Sequence, residues 1–580
     1  MIKTKKPVSL GEITVMKETN SVWARNQPHY IAFLFIVWLI LIFPLIDTKI
    51  IPGHDYVFHV SRILNIADGL QEGVFPLRVY ADNEIFWGTP SGIFYPSLFL
   101  YIPALLKVAG LPIEICYNIF ISFVFLVGLL SSWQGFSLLT RSKTMGLFSA
   151  IFYISSGYYL SDAYIRSAVG ELMGLSVIPL AIACIQAVIT KTKVSNKIYI
   201  LGLLSVSTVI QSHVLSSFFL VLFTLVNLFW RYKDITASRV YRILLFFVFL
   251  VFLNANFILP FLFFYKSVPV LVDYVENFSK YGWSTIIIMR FFVLWNFWLL
   301  VAVYFFLCLF RRKSFLFLRP YLRNSYYKAY FPCFLTGLAF IFMSDYMFPW
   351  DILLPLELLF ENMQFPWRFL GLSTLCFSVC GGLTMGFILR TKHFNNAIVF
   401  LSVCFICIAN VAAFYNFSPL PSSARWQMPA KIYWERNQSP SYTDYNLYKD
   451  MKIQELLDQG NCYISDAIIR NFNKKGTTIS FSYNAKQNSE ITLPLLKYPG
   501  YTAEDQTGKK IVIGENDNHM ILIKLPKGTG TVKVWYKGLV LFTVSDYLTL
   551  FTVAGLMFCL YCYYWRKDKK DLIIKKLFDI

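Results

Sequence analysis

Three short stretches carry residue types that could do chemistry, and the first suits phosphate recognition. Gln364-Phe365-Pro366-Trp367-Arg368 enters an apolar segment and follows Glu357 and Glu361. Arginine fits a phosphate at an interface because its planar fork gives two parallel charged hydrogen bonds and it is weakly hydrated. The proline and the aromatics, Trp367 among them, equally suit an interfacial belt.

The second stretch runs from Ser161 to Glu171 and sets Asp162, Arg166 and Glu171 beside apolar segments. Ionisable groups at such depth pair with one another or line a cavity. Two readings stay open: a structural ion pair, or an anion-holding Arg166 kept in position by its acids.

The third stretch is Gly53-His54-Asp55, followed by His59 and Arg62. Offsets of four and three put Asp55, His59 and Arg62 on one helical face. Asp55 and His59 have metal-ligand spacing, although two ligands without a nearby third are a weak metal signal. The plainer reading of Asp55 is a capping acid on a solvated helix. His213, in Gln211-Ser212-His213, falls at a tight hairpin where turn packing is the plainer reading, and Arg290 near the end of a span is expected to snorkel. No GxxxxGK[ST] loop, HExxH or EF-hand pattern occurs, and the connections between apolar segments are too short for a nucleotide domain.

These stretches are positioned by about twelve long apolar segments, near 30–46, 115–139, 145–160, 171–190, 198–212, 214–230, 243–265, 285–310, 330–347, 367–389, 396–415 and 543–564. The connections on one side hold 28 of the 53 basic residues and only six acids, so that side, with both termini, is expected to be cytoplasmic. A composition 56% hydrophobic and 15% charged fits the same class. The net charge of +20 sits mostly in short loops and a tail beside the bilayer, where lipid headgroups rather than nucleic acid are the natural partner. The basic N-terminal stretch does not read as a cleavable signal. Of eleven cysteines only Cys462 lies in the large outside segment, which excludes a disulfide-built ectodomain.

The expected organisation is mainly α: a multi-span membrane domain over 1–416, an extracytoplasmic β-rich domain over 417–541, and a final span with a basic tail over 542–580. In the β part the runs Thr477 to Tyr483, Ile511 to Gly514, Met520 to Lys524 and Thr531 to Tyr536 read as antiparallel strands. The first outside loop, 47–114, is expected to hold an amphipathic surface helix with Val57, Val60, Leu64 and Ala67 as its apolar stripe, Asp55 at its N-cap, and Gly73 and Pro76 at its end. The apolar run 93–108 is too short for a span and reads as re-entrant or interfacial.

Gly53-His54-Asp55 with its helix, the Arg166–Glu171 turn, Phe365-Pro366-Trp367-Arg368, and Leu493-Pro494-Leu495-Leu496-Lys497-Tyr498-Pro499-Gly500-Tyr501 together resemble the YfhO-like bacterial membrane proteins, whose relatives include proteins labelled pyruvoyl-tetrahydropterin-synthase-related. That family is similar to the GT-C glycosyltransferases. The resemblance implies an inverting enzyme of the bacterial plasma membrane that moves a sugar from a polyprenyl-phosphate carrier to a cell-envelope glycan or teichoic acid-type acceptor outside. It implies Asp55 as the catalytic acid-base residue. Arg368, then Arg166, would bind the lipid phosphate, with Glu171, His54, His59, Asp162, Trp367 and His213 as further substrate contacts. The acid pair separated by one residue that several GT-C enzymes carry is absent around Asp55, and Asp82 and Glu84 are so spaced farther along the loop. A divalent cation, Mg or Mn, is therefore an open expectation. A carrier-loading glycosyltransferase and a flippase are implied as partners. The competing classes are a transporter of lipid-linked saccharides and a non-catalytic envelope-assembly scaffold. For the β domain the alternatives are a lid over the site and acceptor recognition by Tyr498, Tyr501 and Trp535.

Overall fold

The computed structural model describes residues 20–46, 53–80, 87–230, 232–268, 325–345, 348–350, 365–390, 396–416 and 462–578. The expected span 285–310, together with Asp82, Glu84, Arg290, Glu357, Glu361 and Gln364, lies outside them. The chain divides into two compact units: Met1–Asp47 with Ser122–Arg166 and Val275–Pro419, and Thr48–Ile121 with Ser167–Tyr274 and Leu420–Ile580.

Each other expected span coincides with helix. Among the described residues five helices are long and apolar enough to cross a membrane: Pro28–Ile46, Ile113–Thr140, Val169–Thr190, Pro366–Gly386 and Val540–Cys562. A bent pair would make six, and several apolar helices are shorter. Two expected spans are broken. The segment 145–160 divides into Lys143–Ile154 and Gly157–Tyr164, because the Ser156 side chain accepts from the Tyr159 amide and starts a new helix. The segment 243–265 divides into Ala237–Leu253 and Ala255–Ser267, bent by 77°. Asn254 stands at that break. Its Nδ2 donates to Leu250 O (2.7 Å) and Ser207 Oγ (2.9 Å), and its Oδ1 accepts from Gln211 Nε2 (3.3 Å), so polar groups freed by the bend are satisfied by side chains. The run 93–108 forms only short helices, the longest being Tyr101–Val108, which is well below span length.

Within the first unit, the Lys143–Ile154 and Phe369–Arg390 helices pack so closely that a Cβ on Gly382 would lie 2.0 Å from Ser149 Oγ. Small residues permit that approach, and dispersion between backbones holds it.

The second unit joins helices to the β region. β1 (Ile464–Ser465), β4 (Ser489–Leu496), β8 (Met520–Leu525) and β7 (Ile513–Glu515) form one antiparallel sheet in the order β1-β4-β8-β7. β2 (Ile468–Lys475), β3 (Thr478–Ala485), β9 (Gly528–Tyr536), β5 (Tyr501–Asp505) and β6 (Lys510–Ile511) form the other, in the order β2-β3-β9-β5-β6. Alternate residues, such as Ile479 and Phe481, Ile521 and Ile523, Val532 and Val534, enter one core shared by the sheets. A second core ties this region to residues 87–94 and the neighbouring helices through Trp87, Phe94, Phe264, Tyr498, Met520 and Phe542. The Leu496 amide donates to Trp87 O at 2.7 Å.

Candidate functional site

The helix Tyr56–Gln71 begins as expected, with Asp55 at the N-cap position, yet the Asp55 side chain makes no capping bond. Its backbone carbonyl accepts from His59 N at 3.1 Å, and the preceding Gly53 amide donates to Ser167 Oγ at 3.2 Å. Asp55 is partly buried and His54 exposed. The Asp55 charge reaches Tyr117, whose buried hydroxyl lies near Ser167. The Tyr117 and Tyr56 rings meet edge-on, 5.2 Å apart. Burial, then Tyr117 and Glu114, push the Tyr56 phenol well up, so it remains a neutral hydroxyl beside Asp55.

The polar face of this helix is not solvated. His59 and Arg62 are each only 2% exposed, and Val57, Val60 and Ala67 are buried as well. An amphipathic helix with one wet face is thereby corrected to a helix covered on both faces. The reason is the Tyr95-Pro96-Ser97 turn. Arg62 Nη2 donates to Tyr95 O (3.0 Å), Pro96 O (2.7 Å) and Ser97 Oγ (2.9 Å), while its guanidinium lies 4.4 Å from the Tyr95 ring centre. Arg62 Nη1 lies 3.4 Å from His59 Nδ1. The Tyr95 ring also meets those of His59 (5.7 Å) and His213 (5.9 Å). A Cβ on Gly170 would fall 2.3 Å from Tyr95 Oη, so the helix carrying the buried Glu171 starts hard against the tyrosine.

His213 behaves as a turn residue. Its Nδ1 accepts from Ser216 N at 3.3 Å and lies 2.9 Å from Ser216 Oγ, which caps the helix Val214–Trp230.

The first unit holds the second cluster. Asp162, fully buried, bonds to Arg166 Nη1 across one helical turn. The Arg166 guanidinium stands 4.3 Å from the Trp367 ring centre, and that of Arg368 5.7 Å from the same ring. Phe365 stacks on Trp367 at 5.3 Å with 17° between planes, and Tyr158 lies 6.2 Å away. Pro366–Arg368 forms a single 3-10 turn that leads into the next helix and buries Arg368 to 7% exposure. A surface belt would leave its arginine wet; here aromatic faces enclose it. Of the expected contacts, Asp162, Arg166, Trp367 and Arg368 are brought together in this unit, whereas Asp55, His54, His59, Glu171 and His213 belong to the other. Arg62 shares the helical face its spacing predicts, while Tyr95 and Ser97 are marked in the sequence only by a polar interruption inside the apolar run 93–108.

Among the described residues no group of three or more His, Cys, Asp or Glu side chains converges as a metal site. In the β region Tyr498 is 2% exposed and its hydroxyl donates to Gly88 O at 3.4 Å, so its ring packs in the core.

Neither a protein-family model nor a curated protein matches the sequence. Among solved structures the chain is similar to ArnT from Cupriavidus metallidurans bound to undecaprenyl phosphate, with 14% identity over 68% of this chain and 70% of that one and a TM-score of 0.34. The likeness is distant.

Proposed function

We propose that the protein is a membrane glycosyltransferase that moves one sugar from a polyprenyl-phosphate carrier to a cell-envelope glycan on the outer face of the plasma membrane. The observation that carries this reading is the pair of buried guanidiniums, Arg166 and Arg368, gathered on one indole beside apolar helices. Such a cluster favours an anion that arrives with a lipid chain. Asp55, at the head of its helix, would accept the proton of an acceptor hydroxyl as that oxygen attacks the anomeric carbon. The bond from the anomeric carbon to the carrier phosphate breaks with inversion, and the phosphate departs with the electron pair. Arg368, with Arg166 beside it, would bind the carrier phosphate.

The test is transfer of labelled sugar by membranes containing Arg368→Gln. The reading expects donor use to fall at least tenfold with acceptor use little changed; wild-type rates in this variant would remove Arg368 from the mechanism.

A transporter of lipid-linked saccharides is the second reading, favoured by the 77° break at Asn254, because discontinuous helices serve transport sites. It predicts carrier movement across proteoliposomes without sugar transfer.

A further inference from the structure

A cleft of about 700 Å³ opens in the second unit, and none of the residues assigned to transfer lines it. Its wall follows the turn Lys497–Ala503, crosses Lys510, Ile511 and Ile513, and closes on Glu515, His519 and the helix end at Ser267 and Val268. This size is typical of small-molecule sites. Its ionisable lining comprises Lys497, Lys510, His519 and one acid, Glu515. Glu515 is engaged by Lys497 Nζ at 3.1 Å and by His519 Nδ1, while the Lys497 amide donates to His519 O at 2.8 Å. These bonds fix the lysine and the histidine on the wall by way of one carboxylate. Lys510 stands exposed on the rim. Tyr501, braced edge-on by Tyr536 at 5.2 Å, and Pro499 supply apolar surface of the kind that sugar ring faces cover.

We propose that this cleft binds a segment of an anionic glycan chain, its carboxylates or phosphates meeting Lys497 and Lys510 and its rings lying along Tyr501. Resting on the transferase reading, the site would hold the acceptor polymer. The cleft meets the end of the Ala255–Ser267 helix, which sets it where an apolar helix gives way to the β region. A polymer could be gripped there while one of its units is glycosylated elsewhere.

The experiment is equilibrium binding of fluorescent hexamers to the purified full-length protein in detergent, with no transfer required. The probes are oligogalacturonate, its fully methyl-esterified neutral form, and a phosphodiester-linked glycerol hexamer. The expectation is that an acidic probe binds at least tenfold more tightly than the neutral one. Which acidic probe it is distinguishes carboxylate from phosphate. Lys497→Met and the rim change Lys510→Glu should each weaken acidic-probe binding at least threefold. Lys510 is exposed, so its variant keeps the test open if Lys497→Met does not fold. Equal binding of acidic and neutral probes, absence of binding to all three, or acidic binding indifferent to Lys510→Glu would overturn the proposal. A protein that binds the acidic probe and transfers no sugar would keep the cleft and sink the transferase.

Discussion

Arg166 and Trp367, far apart in sequence, meet with the guanidinium 4.3 Å from the indole centre, while Asp162 pairs with the same arginine. A charge buried this way is tolerable because it has both a carboxylate and an aromatic face. Asp162→Asn removes the carboxylate charge, and loss of one partner from a buried pair costs about 3–5 kcal/mol. The detergent-solubilised variant should therefore unfold at clearly lower temperature than wild type. Trp367→Leu should cost about 1–2 kcal/mol in lost cation–π contact plus packing, and Trp367→Phe less. Thermal unfolding of the three variants checks the order.

Arg62 is expected to position its turn through hydrogen bonding rather than through charge alone. In Arg62→Met the carbonyls of Tyr95 and Pro96 and the Ser97 hydroxyl lose charged donors, each worth about 1.5–3 kcal/mol and not additive. Amide hydrogen exchange should accelerate across residues 91–100 and in the helix Tyr56–Gln71. Unchanged exchange in both segments would contradict this role.

Gly170→Ala should destabilise the protein by about 1–3 kcal/mol, because the new methyl would lie 2.3 Å from Tyr95 Oη and 2.7 Å from Ser212 O. The double variant with Tyr95→Phe should recover part of that loss, since it removes the hydroxyl and leaves the Ser212 carbonyl. Additive losses in the double-mutant cycle would show that the two residues are not coupled.

Glu515 gives a pH signature. Burial raises its carboxyl, but hydrogen bonds from His519 and Lys497, and their charges, outweigh burial and hold it below the ordinary value of 4.5. A depressed folded value means a contribution that is present above pH 4.5 and lost as pH falls through the folded value. The β region of Glu515→Gln should lack that acid-side loss. Thermal unfolding followed between about pH 6 and pH 3 should give a shallower decline for the variant, and identical profiles would remove Glu515 from the linkage.

Helix positions were legible because long apolar runs survive any local irregularity. The breaks at Ser156 and Asn254 were not, since one polar residue scarcely lowers the hydropathy of a window, yet Ser156 is enough to cap a new helix and Asn254 to hydrogen-bond across a 77° bend. Strand β4 escaped the strand reading because its last six residues are all buried, which erases the period of two that marks a half-exposed strand. The polar face of Tyr56–Gln71 looked solvated because Arg62 is satisfied largely by backbone carbonyls, and a carbonyl leaves no trace in residue type. Arg368 could be singled out from Pro-Trp-Arg alone, but its sharing of Trp367 with Arg166 depends on packing between distant segments.

Asp55 is proposed as the acid-base residue of a sugar transfer. Its most direct test is transfer of labelled sugar from polyprenyl-phosphate donors by membranes containing wild-type protein or Asp55→Asn, at matched expression and folding. Wild type should transfer the sugar, and Asp55→Asn should lose at least a hundredfold of that activity, the scale of general-base catalysis. Equal transfer by both forms would contradict the assignment of Asp55, and no transfer by wild type across a broad donor and acceptor panel would contradict the enzyme itself.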